Sequence, residues 1–284
     1  MRLCRFNDDR LGVLDEAGVY DVSDALDALP ATRWPAPLGD PLIAHLPALR
    51  ARIGTVLANA PRLQRDGVVL RSPIANPSKI IGAPVNYKAH AEEIDDALRH
   101  GHAVKPIAEW GLFLKANSAL CGPDEGVRVR FPERRTDHEV ELAVVIGQGG
   151  SDIARDDAMN HIAGYAVALD ITLRGPEFQS FRKSIDSYAV LGPCLVTADA
   201  IADPGNLEIS LRVNDVQRQC STTANLLWDV PQLIAFASRF YTLFPGDIVM
   251  TGSPEGVGPI VPGDVLHAEI AGIGAMSVRV GAHA

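Results

Sequence analysis

Length, composition and charge set the first limits on what this chain can be. The 284 residues are 47% hydrophobic and 21% charged, which is typical of a globular protein with one large domain or two unequal ones. Because the net charge is −9 and lysine and arginine form no run, we expect neither nucleic acid nor an anionic membrane as a main partner.

The cysteines and the first residues indicate where the protein works. Cys4, Cys121, Cys194 and Cys220 are far apart, so no metal-finger or CxxC spacing occurs and reduced thiols in the cytoplasm are expected. Residues 1–6 contain no apolar segment of the signal-peptide kind, and no window approaches the roughly 18–20 apolar residues of a membrane span. We therefore expect a cytoplasmic protein with no membrane partner.

The first 73 residues contain no clustered chemistry. Apolar runs around an Asp-Asp turn predict a hairpin, followed by a third strand, a short helix capped by Ser23 or Asp24, and a partly helical segment that Pro47 interrupts. In chain order these elements cover residues 1–6, 12–14, 19–22, 25–29 and 41–57. The segment 72–78 is the expected linker. We predict a small N-terminal α+β domain over 1–73 and a larger domain over 74–284.

Short strands separated by turns dominate the larger domain. One predicted helix begins at residue 86, and two others cover 154–162 and 230–240. The predicted strands are 79–82, 112–115, 127–131, 137–147, 164–170, 194–197, 207–213, 247–251, 265–270 and 276–280. The N-terminus of the helix over 154–162 is expected to be capped by Ser151 or Asp152. The charged segment 93–107 is interpreted as a mobile lid. The pattern favours an α+β, mostly β fold with a barrel-like or rolled sheet over a doubly wound sheet.

The segment 137–147 carries the most informative pattern. It is expected to be one β-strand, in which Glu139, Glu141, Ala143 and Val145 share a face while the opposite face is apolar throughout. Such a strand belongs inside a protein, and buried carboxylates need protons, cationic partners or a metal ion. A metal site and a solvated polar rim both account for the two glutamates, but the rim does not explain Ala143 and Val145.

Asp170 is the expected third carboxylate. It ends the strand 164–170, whose other positions on the same face are small and leave space beside the strand. An isolated Asp at such a place is more often a cap of the following turn. Together with Glu139 and Glu141, however, it makes an all-oxygen set, which suits Mg²⁺, Mn²⁺ or Ca²⁺ rather than Zn²⁺.

A second group of side chains could handle protons or anions. His90 and Glu93 are three apart on a helix and can touch, which would leave one imidazole nitrogen free to take a proton from water. Arg174, Lys183 and Lys115 are candidate cations for carboxylates or for an anionic substrate. Taken singly, each of these residues is more often a surface side chain.

The glycine-rich loop 250–258 offers hydroxyls and backbone N–H groups. It is not a serine-hydrolase elbow, because Thr251 stands where G-x-S-x-G requires its first glycine. The glycines at 147–150 lack the third glycine and the βαβ setting of a dinucleotide site. Both of these functions are therefore excluded.

These motifs follow one another in a fixed order. The order is Asn86-Tyr87-x2-His90-x2-Glu93, Phe113-Leu114-Lys115, Glu139-Val140-Glu141-Leu142, Asp170, Lys183-Ser184-x-Asp186 and Pro245-Gly246-Asp247-x3-Thr251-Gly252. From about 79 to 280 the chain thereby resembles the fumarylacetoacetate hydrolase family. Each motif is loose alone, but the ordered set, with 29 positions from Glu141 to Asp170, is specific. Residues 1–73 also resemble the extra domain of longer bacterial members.

The resemblance implies a catalytic domain built as a rolled mixed β-sheet, usually in a homodimer. It implies Mg²⁺ or Mn²⁺ on Glu139, Glu141 and Asp170. It further implies that His90 and Glu93 activate water and that Lys183 faces substrate oxygens. The candidate substrate contacts are Arg174, Lys115, Thr251 and Ser253.

The chain departs from the family pattern in three places. Members often have Arg-Asp-Leu-Gln where this chain has Arg174-Gly175-Pro176-Glu177. Ala116 stands in place of the proline that often follows Phe-Leu-Lys, and Ser253 replaces the second threonine of Thr-Gly-Thr. Because the first departure borders the expected substrate pocket, it affects the prediction of the substrate more than the prediction of the metal.

Three functions remain open at this point. The leading hypothesis is metal-dependent hydrolysis of a C–C bond in a β-diketo acid such as an acylpyruvate, with His90 deprotonating water and the metal and Lys183 stabilising the enolate that leaves. The alternative is isomerisation or decarboxylation of a 2-oxo dicarboxylic acid, as in a 2-hydroxyhepta-2,4-diene-1,7-dioate isomerase, which needs no attacking water. A non-catalytic, metal-stabilised binding or oligomerisation domain is the third, but it gives no reason for the His90–Glu93 pair.

Overall fold

The computed structural model describes residues 1–93 and 105–283, in which β-strands contain more residues than helices. The strands are β1 (Arg2–Phe6), β2 (Arg10–Asp15), β3 (Gly18–Asp21), β4 (Arg62–Leu63), β5 (Leu70–Arg71), β6 (Ile80–Gly82), β7 (Phe113–Lys115), β8 (Leu120–Cys121), β9 (Val127–Val129), β10 (Thr136–His138), β11 (Val140–Ile146), β12 (Ile162–Asp170), β13 (Thr172–Leu173), β14 (Ala189–Thr197), β15 (Glu208–Val213), β16 (Val216–Thr222), β17 (Ile248–Met250), β18 (Gly258–Pro259), β19 (Val265–Ile270) and β20 (Gly274–Ala282). The α-helices are α1 (Pro41–Leu57), α2 (Lys88–Glu93), α3 (Ile107–Trp110), α4 (Gln179–Arg182) and α5 (Val230–Ser238). Most of the predicted lid, 93–107, lies outside the described residues.

A mixed twelve-stranded sheet is the frame of the molecule. Its order is β4-β3-β2-β1-β14-β12-β11-β17-β6-β7, with β5 added on β1 and β8 on β14. Most neighbours are antiparallel, whereas β6 runs parallel to β17 and β8 parallel to β14. Two smaller sheets have the orders β13-β10-β18 and β16-β15-β19-β20-β9. The predicted α+β, mostly β fold with a mixed sheet is confirmed.

The central strands are buried on both faces. In β11, Val140, Leu142 and Val144 belong to one apolar cluster, and Ala143 and Val145 to another, all with 0% exposure. Successive side chains therefore alternate between two cores, as the sequence pattern predicted. Because β11 is paired on both edges, by β12 and β17, the side chains at its end are held in fixed positions.

The N-terminal elements extend the large sheet. β1 pairs with β14, so the first hairpin continues the frame at one side. Ile43 and Leu46 of α1 belong to the same apolar cluster as Ala143 and Ala166. The predicted linker 72–78 is buried at four of its seven positions. The domain boundary at residue 73 stays a prediction.

The helices differ from the sequence prediction in two ways. α1 continues without interruption through Pro47, because this proline lies on the exposed side of the helix and Asp40 caps the first turn through two backbone N–H groups. The segments near 25–29 and 154–162 are 3₁₀ helices, and neither has a side-chain cap. Ser23 does not act as a cap because its hydroxyl instead donates to a carboxylate of β3.

The strand predicted over 137–147 is in fact broken at Glu139. β10 pairs with β13 and β18 in the three-stranded sheet, whereas β11 belongs to the twelve-stranded sheet. The continuous-strand prediction was wrong because alternation within one segment cannot reveal that its two halves have different partners. The exchange of partners leaves Glu139 at the junction, where this residue is only 5% exposed.

Candidate metal centre and active site

Three carboxylates meet where β11 and β12 lie side by side. Val140 is paired with Leu169, and just beyond this pair the Asp170 N–H donates to the Glu139 carbonyl at 2.9 Å. One oxygen from each of Glu139, Glu141 and Asp170 lies within 4.8 Å of the others. Strand register therefore brings Asp170 to the two glutamates, although it lies 29 positions after Glu141 in the sequence.

The donor set fits a hard divalent cation. The three side chains are buried and offer only carboxylate oxygens, which Mg²⁺ and Mn²⁺ prefer. Burial, followed by the charges of Asp170 and Glu139, raises the pKa of Glu141. Glu141 accepts a hydrogen bond from the Gly252 N–H at 2.6 Å, but in the described ranges it forms no ion pair. A divalent cation would supply the positive charge that Glu141 lacks.

Lys183 joins two of the carboxylates. Its Nζ donates to Glu139 Oε2 at 2.8 Å, to Asp170 Oδ2 at 2.5 Å and to Thr172 Oγ1 at 2.7 Å. Burial disfavours the charged ammonium, but Asp170 and Glu139 outweigh it and raise the pKa of Lys183. Burial also opposes ionisation of Glu139, yet Lys183 and Arg174 hold the pKa of that carboxyl well below its usual range.

Lys115 is a second buried lysine in contact with Asp170. Its Nζ bonds to Asp170 Oδ1 and donates to the Tyr188 carbonyl at 2.8 Å, and its side chain is 0% exposed. Burial lowers the pKa of Lys115, although Asp170 acts in the opposite direction. The geometry makes it a counter-charge for Asp170, and its predicted contact with substrate stays a prediction.

Arg174 connects the cluster to a further carboxylate, Asp137. Arg174 Nε donates to Asp137 Oδ2 at 2.7 Å, and its Nη2 donates to Glu139 Oε1 at 2.9 Å. Asp137 is 0% exposed and also accepts from Arg135 Nε at 2.7 Å. Asp137 was not among the site residues predicted from the sequence. Its spacing of two from Glu139 was the available signal, because alternate residues of an extended segment share a face.

His90 and Glu93 are in contact on α2, as predicted. His90 Nδ1 lies 3.3 Å from Glu93 Oε2, and the Gly256 N–H donates to the same carboxylate at 3.0 Å. Partial burial opposes ionisation of Glu93, but the bonds from His90 and Gly256 lower its pKa. Since an ionised carboxylate can only accept, His90 Nδ1 carries the hydrogen of this bond, and Nε2 is left to accept a proton.

The loop after β17 anchors the start of β11. Thr251 Oγ1 donates to the Leu142 carbonyl at 3.0 Å and does not line the cavity described below, whereas Ser253 lines it. Ser253 Oγ donates to the Val140 carbonyl at 3.0 Å and accepts from Gln219 Nε2 at 2.8 Å. Gln219 was missed because no strand was predicted where β16 lies.

One cavity of about 370 Å³ opens onto this cluster. Its polar lining includes His90, Glu139, Glu141, Lys183 and Ser253, and its apolar lining includes Trp110, Leu112 and Phe113. The volume is in the range of small-molecule sites. Two of the three candidate metal ligands, Glu139 and Glu141, therefore face the same space as His90.

Comparisons with known proteins agree with this geometry. The family model for the fumarylacetoacetate (FAA) hydrolase C-terminal domain matches residues 79–281. The chain belongs to the fumarylacetoacetate hydrolase family. It is 51% identical over 284 residues to the maleylpyruvate hydrolase of Aquipseudomonas alcaligenes, with 99% of each chain covered.

Solved structures of the fumarylacetoacetate hydrolase family share the whole architecture. The crystal structure of maleylpyruvate hydrolase from Sphingobium sp. SYK-6 in complex with manganese(II) ion and pyruvate is 39% identical, with a TM-score of 0.85 and 100% of both chains covered. A probable 2-hydroxyhepta-2,4-diene-1,7-dioate isomerase from Mycobacterium abscessus is 28% identical, with a TM-score of 0.77, covering 100% of this chain and 98% of that one. The predicted family and its class, a metal-dependent hydrolase or isomerase, are confirmed. Among the described helices, none is long and apolar enough to cross a membrane.

Arg134 accounts for one departure from the fumarylacetoacetate hydrolase pattern. Its Nη1 and Nη2 donate to the two carboxylate oxygens of Glu177 at 2.9 and 2.8 Å. Glu177 lines the cavity at the position where members of the family often have an amide. Because a bidentate guanidinium satisfies both of its oxygens, this glutamate does not present an uncompensated charge to a substrate.

Proposed function

We propose that this protein hydrolyses a C–C bond of an acylpyruvate, a β-diketo acid, and that maleylpyruvate is the first substrate to test. The observation that carries the proposal is that His90 lines one cavity together with Glu139 and Glu141. A proton acceptor beside a hard-cation site is what this hydrolysis requires. The full-length similarity to two maleylpyruvate hydrolases supports the choice of substrate.

Glu139, Glu141 and Asp170 would hold Mg²⁺ or Mn²⁺, and Ca²⁺ is a further candidate with the same ligand preference. The bound ion would supply Lewis-acid stabilisation of the negative charge on the 2-oxo acid end of the substrate. The fit rests on three buried carboxylates with oxygens within 4.8 Å of one another. The manganese in the related structure supports it.

In this proposal the chain's own residues carry the proton transfers. Glu93 orients His90, whose Nε2 takes a proton from water as the water oxygen adds to the distal carbonyl carbon. The C–C bond then breaks and its electron pair passes to the pyruvate part as an enolate. The proton on His90 is returned to that part, so the products are pyruvate and a carboxylic acid. Lys183 and Arg174, which line the cavity, lower the energy of the developing negative charge.

The other residues predicted to contact substrate have different roles in the proposal. Ser253 lines the cavity and remains a candidate contact to substrate. Lys115 and Thr251 are assigned supporting roles, since the first compensates Asp170 and the second bonds to β11.

The second candidate function is isomerisation or decarboxylation of a 2-oxo dicarboxylic acid at the same site. The similarity to a probable 2-hydroxyhepta-2,4-diene-1,7-dioate isomerase favours it as the alternative. It uses the same metal ligands but needs no attacking water, so His90 would be less important.

The His90→Ala protein separates the two functions. If the enzyme is a hydrolase, we expect kcat for an acylpyruvate to fall roughly 10²- to 10⁴-fold, the usual contribution of a general base, while Mn²⁺ affinity stays close to the wild-type value because His90 is not one of the three carboxylate ligands. Loss of enol absorbance measures turnover, and calorimetric titration measures Mn²⁺ binding. His45→Ala, at an exposed histidine of α1, is the matched control. Hydrolysis at the wild-type rate by His90→Ala would reject the role of His90.

The wild-type protein should be assayed with Mn²⁺ or Mg²⁺ on a panel of acylpyruvates that includes maleylpyruvate. Equimolar pyruvate and acid are expected as products. If Mn²⁺ binds and no member of the panel is cleaved, the hydrolase proposal is wrong, and the 2-oxo dicarboxylic acids become the substrates to test.

We further propose that the protein works in the cytoplasm as a homodimer without a nucleic-acid partner. The four cysteines are all free, three of them buried, and the net charge of −9 disfavours nucleic acid. Light scattering should give twice the 30.4 kDa mass of one chain. A monomer at micromolar concentration would contradict the dimer.

A further inference from the structure

Three cationic side chains line the cavity in the described part of the chain, and two of them are already paired. They are Arg174, Arg182 and Lys183. Arg174 bonds to Asp137 and Glu139, and Lys183 bonds to Glu139 and Asp170. These two cations are therefore largely neutralised by carboxylates of the protein itself.

Arg182, the last residue of α4, is held differently. Its Nε donates to the Glu177 carbonyl at 3.0 Å, and its Nη1 donates to the Leu173 carbonyl at 3.3 Å. Both partners are neutral backbone groups, and within 1–93 and 105–283 Arg182 forms no ion pair. The nearby carboxylate of Glu177 is not available to it, because that carboxylate is bound by Arg134 through two hydrogen bonds.

These contacts orient the guanidinium and leave part of it unused. A guanidinium has five N–H groups in a fixed plane, and the two backbone bonds of Arg182 use two of them. In the part of the chain that the structure describes, three N–H groups remain, enough for a two-point contact with a carboxylate. Burial and then the charge of Arg174 lower the pKa of Arg182, whereas the charges of Glu139, Asp170 and Glu177 act in the opposite direction.

We propose that Arg182 binds the distal carboxylate of the substrate and thereby makes the enzyme specific for acylpyruvates that end in a second acid group. The proposal rests on the proposed function, because the 2-oxo acid end must occupy the carboxylate cluster for the other end to reach Arg182. The apolar side chains of Trp110, Leu112 and Phe113 on the cavity wall suit the carbon chain between the two ends. Arg182 is thus a specificity residue, whereas the bond-breaking groups are His90 and the cluster.

The test compares two substrates on the same preparations of enzyme. kcat/KM is measured for maleylpyruvate, which carries the distal carboxylate, and for acetylpyruvate, which ends in a methyl group. We expect Arg182→Met to lower the ratio of the two values about 10- to 150-fold, the effect of losing roughly 1.5–3 kcal/mol from a charge-assisted hydrogen bond. Arg182→Lys should lower it less, since it keeps the charge but loses the planar fork. A fraction of misfolded protein cancels in this ratio, because both substrates are measured on one sample.

Equilibrium binding gives a readout that does not need turnover. In the presence of Mn²⁺, calorimetry compares 2-oxoheptanedioate with 2-oxoheptanoate, which have the same chain length and differ in the distal carboxylate. The wild type is expected to prefer the diacid, and Arg182→Met should lose that preference. Arg52→Met, at an exposed arginine of α1, should change neither the kinetic nor the binding ratio.

The possible failures can be told apart. If Arg182→Met reduces activity on both substrates equally, or on neither, the assignment of the distal carboxylate to Arg182 is wrong while the hydrolase function stands. If the wild type cleaves neither substrate, the proposed function fails. The calorimetric comparison of 2-oxoheptanedioate with 2-oxoheptanoate then tests by itself whether Arg182 binds the distal carboxylate. Equal affinity of the wild type for the two binding probes overturns the specificity proposal in either case.

Discussion

A Glu141→Gln protein is expected to lose Mn²⁺ binding and activity, while its metal-free fold becomes at least as stable as the wild type. Glu141 is 2% exposed and lies beside Asp170 and Glu139. Burial and these two charges raise its pKa, so the folded protein binds a proton at this site more readily than the unfolded chain does. Above the ordinary pKa of a glutamate, this difference between the folded and unfolded chain lowers the free energy of unfolding. The amide removes this cost and also removes a metal ligand.

Two measurements separate these effects. Calorimetric titration should show Mn²⁺ affinity reduced at least about 100-fold, since even residues that only orient metal ligands contribute roughly 10- to 100-fold. Urea unfolding in EDTA should show no loss of stability. Glu16→Gln, at an exposed glutamate outside the cavity, is the control and should behave as the wild type. Wild-type Mn²⁺ affinity in Glu141→Gln would remove this residue from the metal site.

The Lys183→Met protein, unlike Glu141→Gln, is expected to be less stable than the wild type when no metal is bound. Lys183 is 5% exposed and donates to Glu139, Asp170 and Thr172. Removing one partner of a buried ion pair leaves uncompensated charge and costs about 3–5 kcal/mol. Urea unfolding in EDTA should show this loss of stability. Mn²⁺ should restore more stability here than in the wild type, because the cation then compensates the same two carboxylates.

Activity of Lys183→Met should remain low even after Mn²⁺ has restored the fold. Loss of one group that stabilises developing negative charge typically costs 10²- to 10³-fold in kcat. The control is Lys88→Met, because Lys88 and Glu92 are 79% and 67% exposed at 3.8 Å and such a pair contributes about 0–1 kcal/mol. Wild-type stability of metal-free Lys183→Met would show that the ion pairs of Lys183 do not hold the cluster.

These two variants test one electrostatic arrangement. Lys183, Lys115 and Arg174 each bond to Asp170 or Glu139, whereas among the described residues Glu141 bonds only to the backbone N–H of Gly252. The cluster without metal is therefore compensated everywhere except at Glu141. A divalent cation bound between the three carboxylates would complete the balance, which is why a change at Glu141 and a change at Lys183 should affect the metal-free protein in opposite directions.

The sequence by itself determined the parts of the fold and site that depend on local pattern. Alternation in β11 predicted two buried faces, because successive side chains of a strand point in opposite directions. The spacing of His90 and Glu93 predicted their contact, because residues three apart lie on one side of a helix. Short strands separated by turns predicted the mostly β fold. Strand alternation suggested the three carboxylates as a set, and the ordered family motifs supported both predictions.

Tertiary structure decided everything that depends on which segments become neighbours. The break at Glu139 arises because β10 and β11 pair in different sheets, and no periodicity within one segment encodes its partners. For the same reason the sequence could not show that Lys115 bonds to Asp170 or that Arg134 neutralises Glu177. Arg182 had no signal at all in its local sequence. It became a candidate only when the fold showed that the other cations of the cavity already have carboxylate partners, because charge compensation is a property of the assembled site.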